Sequence, residues 1–206
     1  MTSHNIIKNL TRRGNSILGV GCYSAAISSK NGLEAIKVGT NMEDPWLDFY
    51  ELINQEHIKD NPHVPVVKSF YSDDSNYFYV CVMERLEPVT VMLTALTDML
   101  RKFVEGSISL SEFYMLTKGY KKHIPNPEKM RELLDEIRDN TTHYSFDNDD
   151  CEDNGGRKLD LHSGNFMLRD DVLVIIDPWC NVCMQDVEDL SEWADKVVKY
   201  DSTRNT

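Results

Sequence analysis

The apolar residues of this chain change their period close to Pro88. Before that point they fall in short runs bounded by turn-forming residues, which is the pattern of strands. Ser16–Val20 and Tyr23–Ser28 read as two strands, Lys30-Asn31-Gly32 as a turn, and Leu33–Val38 as a third strand. Val64–Phe70 and Tyr77–Met83 read as two more, with the turn formers Asp73-Asp74-Ser75-Asn76 between them. One helix interrupts this part: Pro45 opens it, and Trp46, Phe49, Tyr50 and Ile53 make its apolar stripe towards Gln55. After Pro88 the spacing becomes helical. Met92, Leu93, Leu96, Met99, Leu100 and Phe103 form one stripe, and Met130, Leu133, Leu134 and Ile137 another, both expected in the core. Leu110–Tyr120 is a weaker helix. Phe166–Leu168 and Val172–Ile176 read as strands around Arg169-Asp170-Asp171, and Asp186–Tyr200 as a last helix. The pattern predicts an α+β fold. A β-rich part with one helix spans 1–86, and a helix-rich part spans 87–206, as two lobes of one domain.

Composition excludes several classes. With 206 residues and 41% hydrophobic content, a real core is affordable. No apolar run approaches a membrane span, and Met1–Gly14 mixes Ile6, Ile7 and Leu10 with Lys8, Arg12 and Arg13, unlike a secretion signal. A soluble, cytoplasmic protein without a membrane partner is expected. The net charge of −12 argues against direct nucleic-acid binding, which needs a Lys/Arg surface. Asp147, Asp149, Asp150, Glu152 and Asp153 precede Gly155-Gly156 and read as a solvated loop or an acidic contact surface. Five cysteines, an odd number, suggest reduced thiols. Cys180 and Cys183 form a lone C-x-x-C with no second pair to complete a zinc site, so the pair reads as incidental.

Four short blocks carry chemistry. Leu18-Gly19-Val20-Gly21-Cys22-Tyr23-Ser24 is glycine-rich and is followed by a turn and strand, not by the helix a dinucleotide fold requires. A β-hairpin over phosphates or an ordinary turn are both open. Ala35-Ile36-Lys37-Val38 puts a lysine inside an apolar strand, 16 residues after Gly21. Asp160-Leu161-His162-Ser163-Gly164-Asn165 sets an aspartate and an asparagine five residues apart on a loop. The run Val172–Ile176 ends on Asp177, a carboxylate delivered by a strand. Oxygen donors of this kind suit Mg²⁺.

In these blocks and in their order, the chain resembles the eukaryotic-like protein kinase superfamily. More closely, it is similar to the early serine/threonine kinases of Teseptimavirus-type bacteriophages. The carriers are Leu18–Ala26, Ile36–Gly39, Asp160–Asn165 and Asp177-Pro178, with Met83-Glu84-Arg85-Leu86 where an interlobe hinge should be. The resemblance implies a two-lobed kinase-like fold with a reduced helical C-lobe, and transfer of the ATP γ-phosphate to Ser/Thr hydroxyls with Mg²⁺. By position, Gly19, Val20, Gly21 and Ser24 would cover the phosphates, and Lys37 would contact the α and β phosphates. Glu51 would pair with Lys37, with Asp48 and Glu56 as alternatives. The backbone of Glu84–Leu86 would receive adenine, Asp160 would act as base, and Asn165 and Asp177 would hold the metal. Host proteins of transcription, translation or RNA processing are the implied substrates, in the cytoplasm of the infected bacterium.

The sequence departs from the kinase pattern in specific places. Ser24 stands for the third glycine, Lys158-Leu159 for the His-Arg before the catalytic Asp, and Asp177-Pro178-Trp179 for Asp-Phe-Gly. Only 29 residues follow Asp177, too few for the usual activation segment and full helical subdomain. Recognition of a folded partner with basic patches is therefore expected. Two other readings compete: a small-molecule phosphotransferase of the antibiotic-kinase type, since Asp-Leu-His-Ser-Gly-Asn also resembles that group's loop, and a nucleotide-binding pseudokinase that inhibits a host protein by contact.

Overall fold

The computed structural model describes residues 3–39, 44–73, 78–141 and 157–181. They fall into two compact units: residues up to Asp44 with Val66–Arg85, and Pro45–Pro65 with the chain from Leu86 onward. The acidic run 147–156, the turn residues 74–76, Cys183 and the helix expected over 186–200 lie outside the described residues. No helix among the described residues is long and apolar enough to cross a membrane.

The first unit begins with a helix, α1 (Ser3–Arg12), followed by β1 (Ile17–Val20), β2 (Ser24–Ser28) and β3 (Glu34–Gly39). With β4 (Val67–Asp73) and β5 (Phe78–Glu84) they form an antiparallel sheet in the order β1-β2-β3-β5-β4. Residues directly opposite in neighbouring strands share a face. Val20, Ala25, Val38 and Val80 make one such row, and Ile27 and Ile36 belong to the next on that face. Against this face packs α1 through Ile6, Ile7 and Leu10, with Ile7 fully buried. Burying that one side chain contributes about 1.5–3 kcal/mol. The sequence reading assigns no helix here, although Ile6, Ile7 and Leu10 have helical spacing. β4 starts three residues later than the expected Val64. The chain before it is committed elsewhere: Arg169 donates to the carbonyls of Pro62 and Val64 at 2.9 and 2.7 Å, and Pro65 has no N–H for a ladder.

The second unit opens with α2 (Pro45–Ile53), which carries Pro at its first turn. Trp46 Nε1 donates to Ile176 O at 3.1 Å, and Phe49 meets Trp179 edge-on with ring centres 6.0 Å apart. This helix, which the sequence reading grouped with the strands of 1–86, thus has its packing partners in the second unit. After the short β6 (Glu87–Pro88) come α3 (Thr94–Val104), α4 (Leu110–Thr117) and α5 (Pro127–Asp139). A capping box between Ser109 and Glu112 starts α4, and the Asn126 side chain accepting from Lys129 N starts α5. The rings of Phe103 and Phe113 meet between α3 and α4 with centroids 4.5 Å apart and planes tilted by 33°, and Met130, Leu133, Leu134 and Ile137 are wholly buried. Met92 corrects the expected core stripe. Residues 91–93 form a 3₁₀ turn ahead of α3, and its tighter period leaves Met92 88% exposed.

The remaining strands are short. β7 (Arg157–Leu159) pairs antiparallel with β10 (Trp179–Asn181), and β8 (Phe166–Arg169) pairs with both β6 and β9 (Val172–Ile175). Asp170 and Asp171 both have positive φ, at 47° and 71°, which makes the β8–β9 connection a tight hairpin turn. The architecture is α+β: a five-stranded antiparallel sheet in the first unit, and helices with paired short strands that frame a loop in the second.

Candidate active site

The candidate phosphate loop lies in the first unit. Gly19 and Val20 end β1, Ser24 starts β2, and Gly21 N donates to Ser24 O at 2.8 Å to close the connection. A register shift between Ile17 and Gly19 puts a bulge at Leu18 just before it. The two glycines have no folding requirement of their own. Neither has a positive φ, a Cβ on Gly19 would meet nothing, and one on Gly21 would only touch Ser24 O at 3.8 Å. Glycine at both positions therefore leaves backbone open to something outside the chain. Val20 differs: its side chain packs on the cluster under α1, so only its backbone is left for a ligand.

Lys37 stands in the row Gly19–Ala26–Lys37–Cys81 across β1, β2, β3 and β5. That row belongs to the face opposite α1. Cys81 is fully buried beside it, and burial pushes its thiol up to about 12 while the charge of Lys37 works the other way. At the end of β5, Glu84 is fixed twice: its N–H donates to Val66 O at 3.0 Å, and its carboxylate accepts from Val66 N at 2.7 Å. Leu86, the first residue of the second unit after this strand, is buried.

The second unit gathers the other expected residues. Asp160 follows β7, and its N–H donates to Pro178 O at 2.8 Å. A 3₁₀ turn over Ser163–Asn165 brings Asn165 back to it. The Asn165 side-chain amide donates to Asp160 O at 2.7 Å and to Asp160 Oδ2 at 3.2 Å. Asn165 O in turn accepts from Ile176 N at 3.0 Å, one residue before Asp177. The loop residues Asp160 and Asn165 and the strand-end Asp177 are thereby held on one framework of hydrogen bonds. The donor set fits Mg²⁺. With its amide nitrogen turned to Asp160, Asn165 keeps its oxygen as a donor, and Asp177 adds a carboxylate. Two protein oxygens are enough for an ion that retains water and phosphate ligands.

Trp179 explains the departure from Asp-Phe-Gly. Its ring is buried, its indole N–H lies 3.1 Å from Thr141 Oγ1, and the Arg157 guanidinium sits 5.4 Å over it. Arg157 Nε also binds Asp48 Oδ2 at 2.7 Å. Asp48, one alternative partner for Lys37, is thus engaged within the second unit, while Glu56 lies 3.4 Å from Lys59. Glu51 is exposed on α2.

His162 lies on the same loop, and the sequence pattern assigns it no role. Its Nδ1 accepts from Gly164 N at 3.0 Å, which fixes the ring and leaves Nε2 3.8 Å from Asp160 Oδ2. A Cβ on Gly164 would crowd this ring. The signal available was the histidine's place between Asp160 and Asn165; its geometry depends on a 3₁₀ turn that spacing does not reveal.

No protein-family model matches the sequence, and no curated protein matches it. Among solved structures, the chain is similar to the streptomycin–ATP–APH(2")-IIa ternary complex, at 14% identity over 84% of this chain and 69% of that chain, with a TM-score of 0.35. A likeness at that level carries no argument, and the fold is read from strand order and register.

Proposed function

We propose that this chain is an ATP- and Mg²⁺-dependent phosphotransferase whose acceptors are Ser/Thr hydroxyls of proteins. The observation that carries the reading is the double hydrogen bond from Asn165 to Asp160, tied through Ile176 and Pro178 to the strand end that bears Asp177. A carboxylate oriented by an amide, on a backbone framework that also carries Asp177, suits a general base working near a cation. In this reading Asp160 accepts the proton of the acceptor hydroxyl. The oxygen bonds to the γ-phosphorus of ATP as the bond to the β-phosphate oxygen breaks, and ADP leaves. Asn165 holds the Asp160 carboxylate in place, and Asn165 Oδ1 with Asp177 would hold Mg²⁺, which when bound offsets phosphate charge. Gly19 and Gly21 give the phosphates access to backbone, and Lys37 offers them a fixed positive charge.

The resemblance to phage kinases extends the proposal to host proteins in the cytoplasm of an infected bacterium. The net charge of −12 supports partners with basic patches, such as proteins that themselves handle nucleic acid. The test is phosphate transfer from γ-labelled ATP to bacterial proteins and, in parallel, to aminoglycosides, with Asp160→Ala as control. Label in proteins that depends on Asp160 supports the reading. Label only in the small molecules moves the assignment to the antibiotic-kinase type, and no turnover favours a pseudokinase.

A further inference from the structure

β9 is the end strand of its sheet, with β8 on one side and no strand on the other among the described residues. Leu173, Val174 and Ile175 are nonetheless fully buried, so the backbone groups on the far edge cannot turn to water. Two histidines meet them in the same manner. His123 O accepts from Leu173 N at 2.9 Å, and His123 Nδ1 donates to Asp171 O at 2.7 Å. Two residues further along, His63 O accepts from Ile175 N at 2.9 Å, and His63 Nδ1 donates to Leu173 O at 2.7 Å. Four successive edge groups, from Asp171 O to Ile175 N, are thus taken by one carbonyl and one ring nitrogen of each histidine. Because a carbonyl only accepts, both rings carry a proton on Nδ1.

His63 is itself braced. Its N–H donates to Asn61 Oδ1 at 2.9 Å, and the Asn61 amide donates to Lys129 O of α5 at 2.7 Å. Arg169 of β8 grips the carbonyls on either side of it, those of Pro62 and Val64. The ring is wholly buried. β9 ends at Ile175, two residues before Asp177. The residue between them is bound on both of its backbone groups: Ile176 N donates to Asn165 O at 3.0 Å, and Ile176 O accepts from Trp46 Nε1 at 3.1 Å. Peptide units are planar and stiff, so where Ile175 stands decides where the Asp177 carboxylate is presented.

We propose that His63 is a positioning residue for the cation site: by holding the far edge of β9 at Leu173 and Ile175, it sets Asp177 against Asn165. It touches neither the metal nor the acceptor and acts through the strand, as outer partners of metal ligands do. The inference rests on the phosphotransfer reading and adds to it a residue from the segment between α2 and β4, far in sequence from Asp160, Asn165 and Asp177.

The experiment uses the full chain, a non-hydrolysable ATP analogue and Mn²⁺, which takes the same oxygen donors as Mg²⁺ and whose free form is counted by electron paramagnetic resonance. His63→Leu, which removes the ring donor, should weaken Mn²⁺ binding by about tenfold. His63→Asn, which puts an amide donor where Nδ1 stood, should restore most of it. A second arm needs no variant and decides the matter if His63→Leu does not fold. Coupling between two sites runs both ways, so metal and nucleotide should slow amide exchange at Leu173 and Ile175 of wild type more than in α5. Unchanged Mn²⁺ affinity in folded His63→Leu, a loss that His63→Asn does not recover, or no extra slowing at Leu173 and Ile175 overturns the positioning role alone. A wild type that binds no Mn²⁺ with the nucleotide, or binds it as well after Asp177→Ala, overturns the cation site of the phosphotransfer reading, and this role with it.

Discussion

The side-chain amide of Asn165 reaches both the carbonyl oxygen and the carboxylate of Asp160, at 2.7 and 3.2 Å. In the proposed reaction it would have two jobs, orienting the base with its nitrogen and offering an oxygen to a cation. The two can be separated. Asn165→Ala removes both and should lower kcat by about 10²-fold or more, the usual range for a displaced general base. Asn165→Asp keeps an oxygen donor but sets a second carboxylate against Asp160. Its kcat should fall comparably while its Mg²⁺ dependence stays closer to wild type. Equal Mg²⁺ titrations for Asn165→Ala and wild type would remove Asn165 from the metal site.

Gly19 and Gly21 offer a test of the phosphate loop that is free of folding artefacts. Neither needs a positive φ and neither is crowded. Gly19→Ala and Gly21→Ala should therefore melt within a degree or two of wild type, since the strain argument for glycine is absent. Their KM for ATP should rise, because in the proposed reading a methyl group would stand where backbone meets phosphate. A wild-type KM in both variants would reduce the hairpin to an ordinary turn.

How far the sequence reaches is visible in particular residues. The five strands of the sheet, the helix after β3 and the place of Asp160 and Asn165 on one loop were readable, because periodicity and turn chemistry act locally. Setting Lys37 beside Cys81 needs the register of β3 against β5, which local pattern does not encode. The ribbon of β7 and β10 was invisible for a similar reason. Each strand has three residues, and they find each other across the hairpin of β8 and β9. Trp179 could be seen as a departure from Phe, but not as a buried ring clasped by Arg157 and Thr141. Met92 failed because a 3₁₀ turn, not an α-helix, carries it.

Gly39 is required for packing, in contrast to Gly19 and Gly21. A methyl group at Gly39 would overlap the ring of Tyr79, which is fully buried and whose hydroxyl donates to Asp44 at 2.6 Å. Gly39→Ala should cost about 1–3 kcal/mol, the usual range for overpacking, read as a lower midpoint in urea. Tyr79→Phe should not rescue it, because the ring and not the hydroxyl is the obstacle. Tyr79→Val in the Gly39→Ala background should recover part of the loss, if the overlap is its cause.

The last prediction concerns acid stability and His63. This side chain is fully buried, and its Nδ1 donates to Leu173 O at 2.7 Å. Nε2 lies near the Asn126 carbonyl but makes no hydrogen bond among the described residues. Burial, the largest cause, holds the imidazole below its ordinary 6.5, and the nearby Arg169 charge acts in the same direction; the backbone carbonyls of Leu173 and Asn126 oppose them. The folded state therefore keeps His63 neutral at a pH where the unfolded chain already takes up a proton. Over that interval the unfolded state binds more protons, so unfolding free energy must fall as pH drops below about 6.5, and level off below the folded-state pKa. The slope is at most about 1.4 kcal/mol per pH unit for this one proton. His63→Asn retains a donor for Leu173 O but does not titrate. It should lower stability at pH 7.5 through lost packing, yet show a shallower decline between pH 6.5 and 5.5 than wild type. Urea unfolding of both proteins across that interval is the measurement, and parallel pH profiles would show that the acid sensitivity comes from another group.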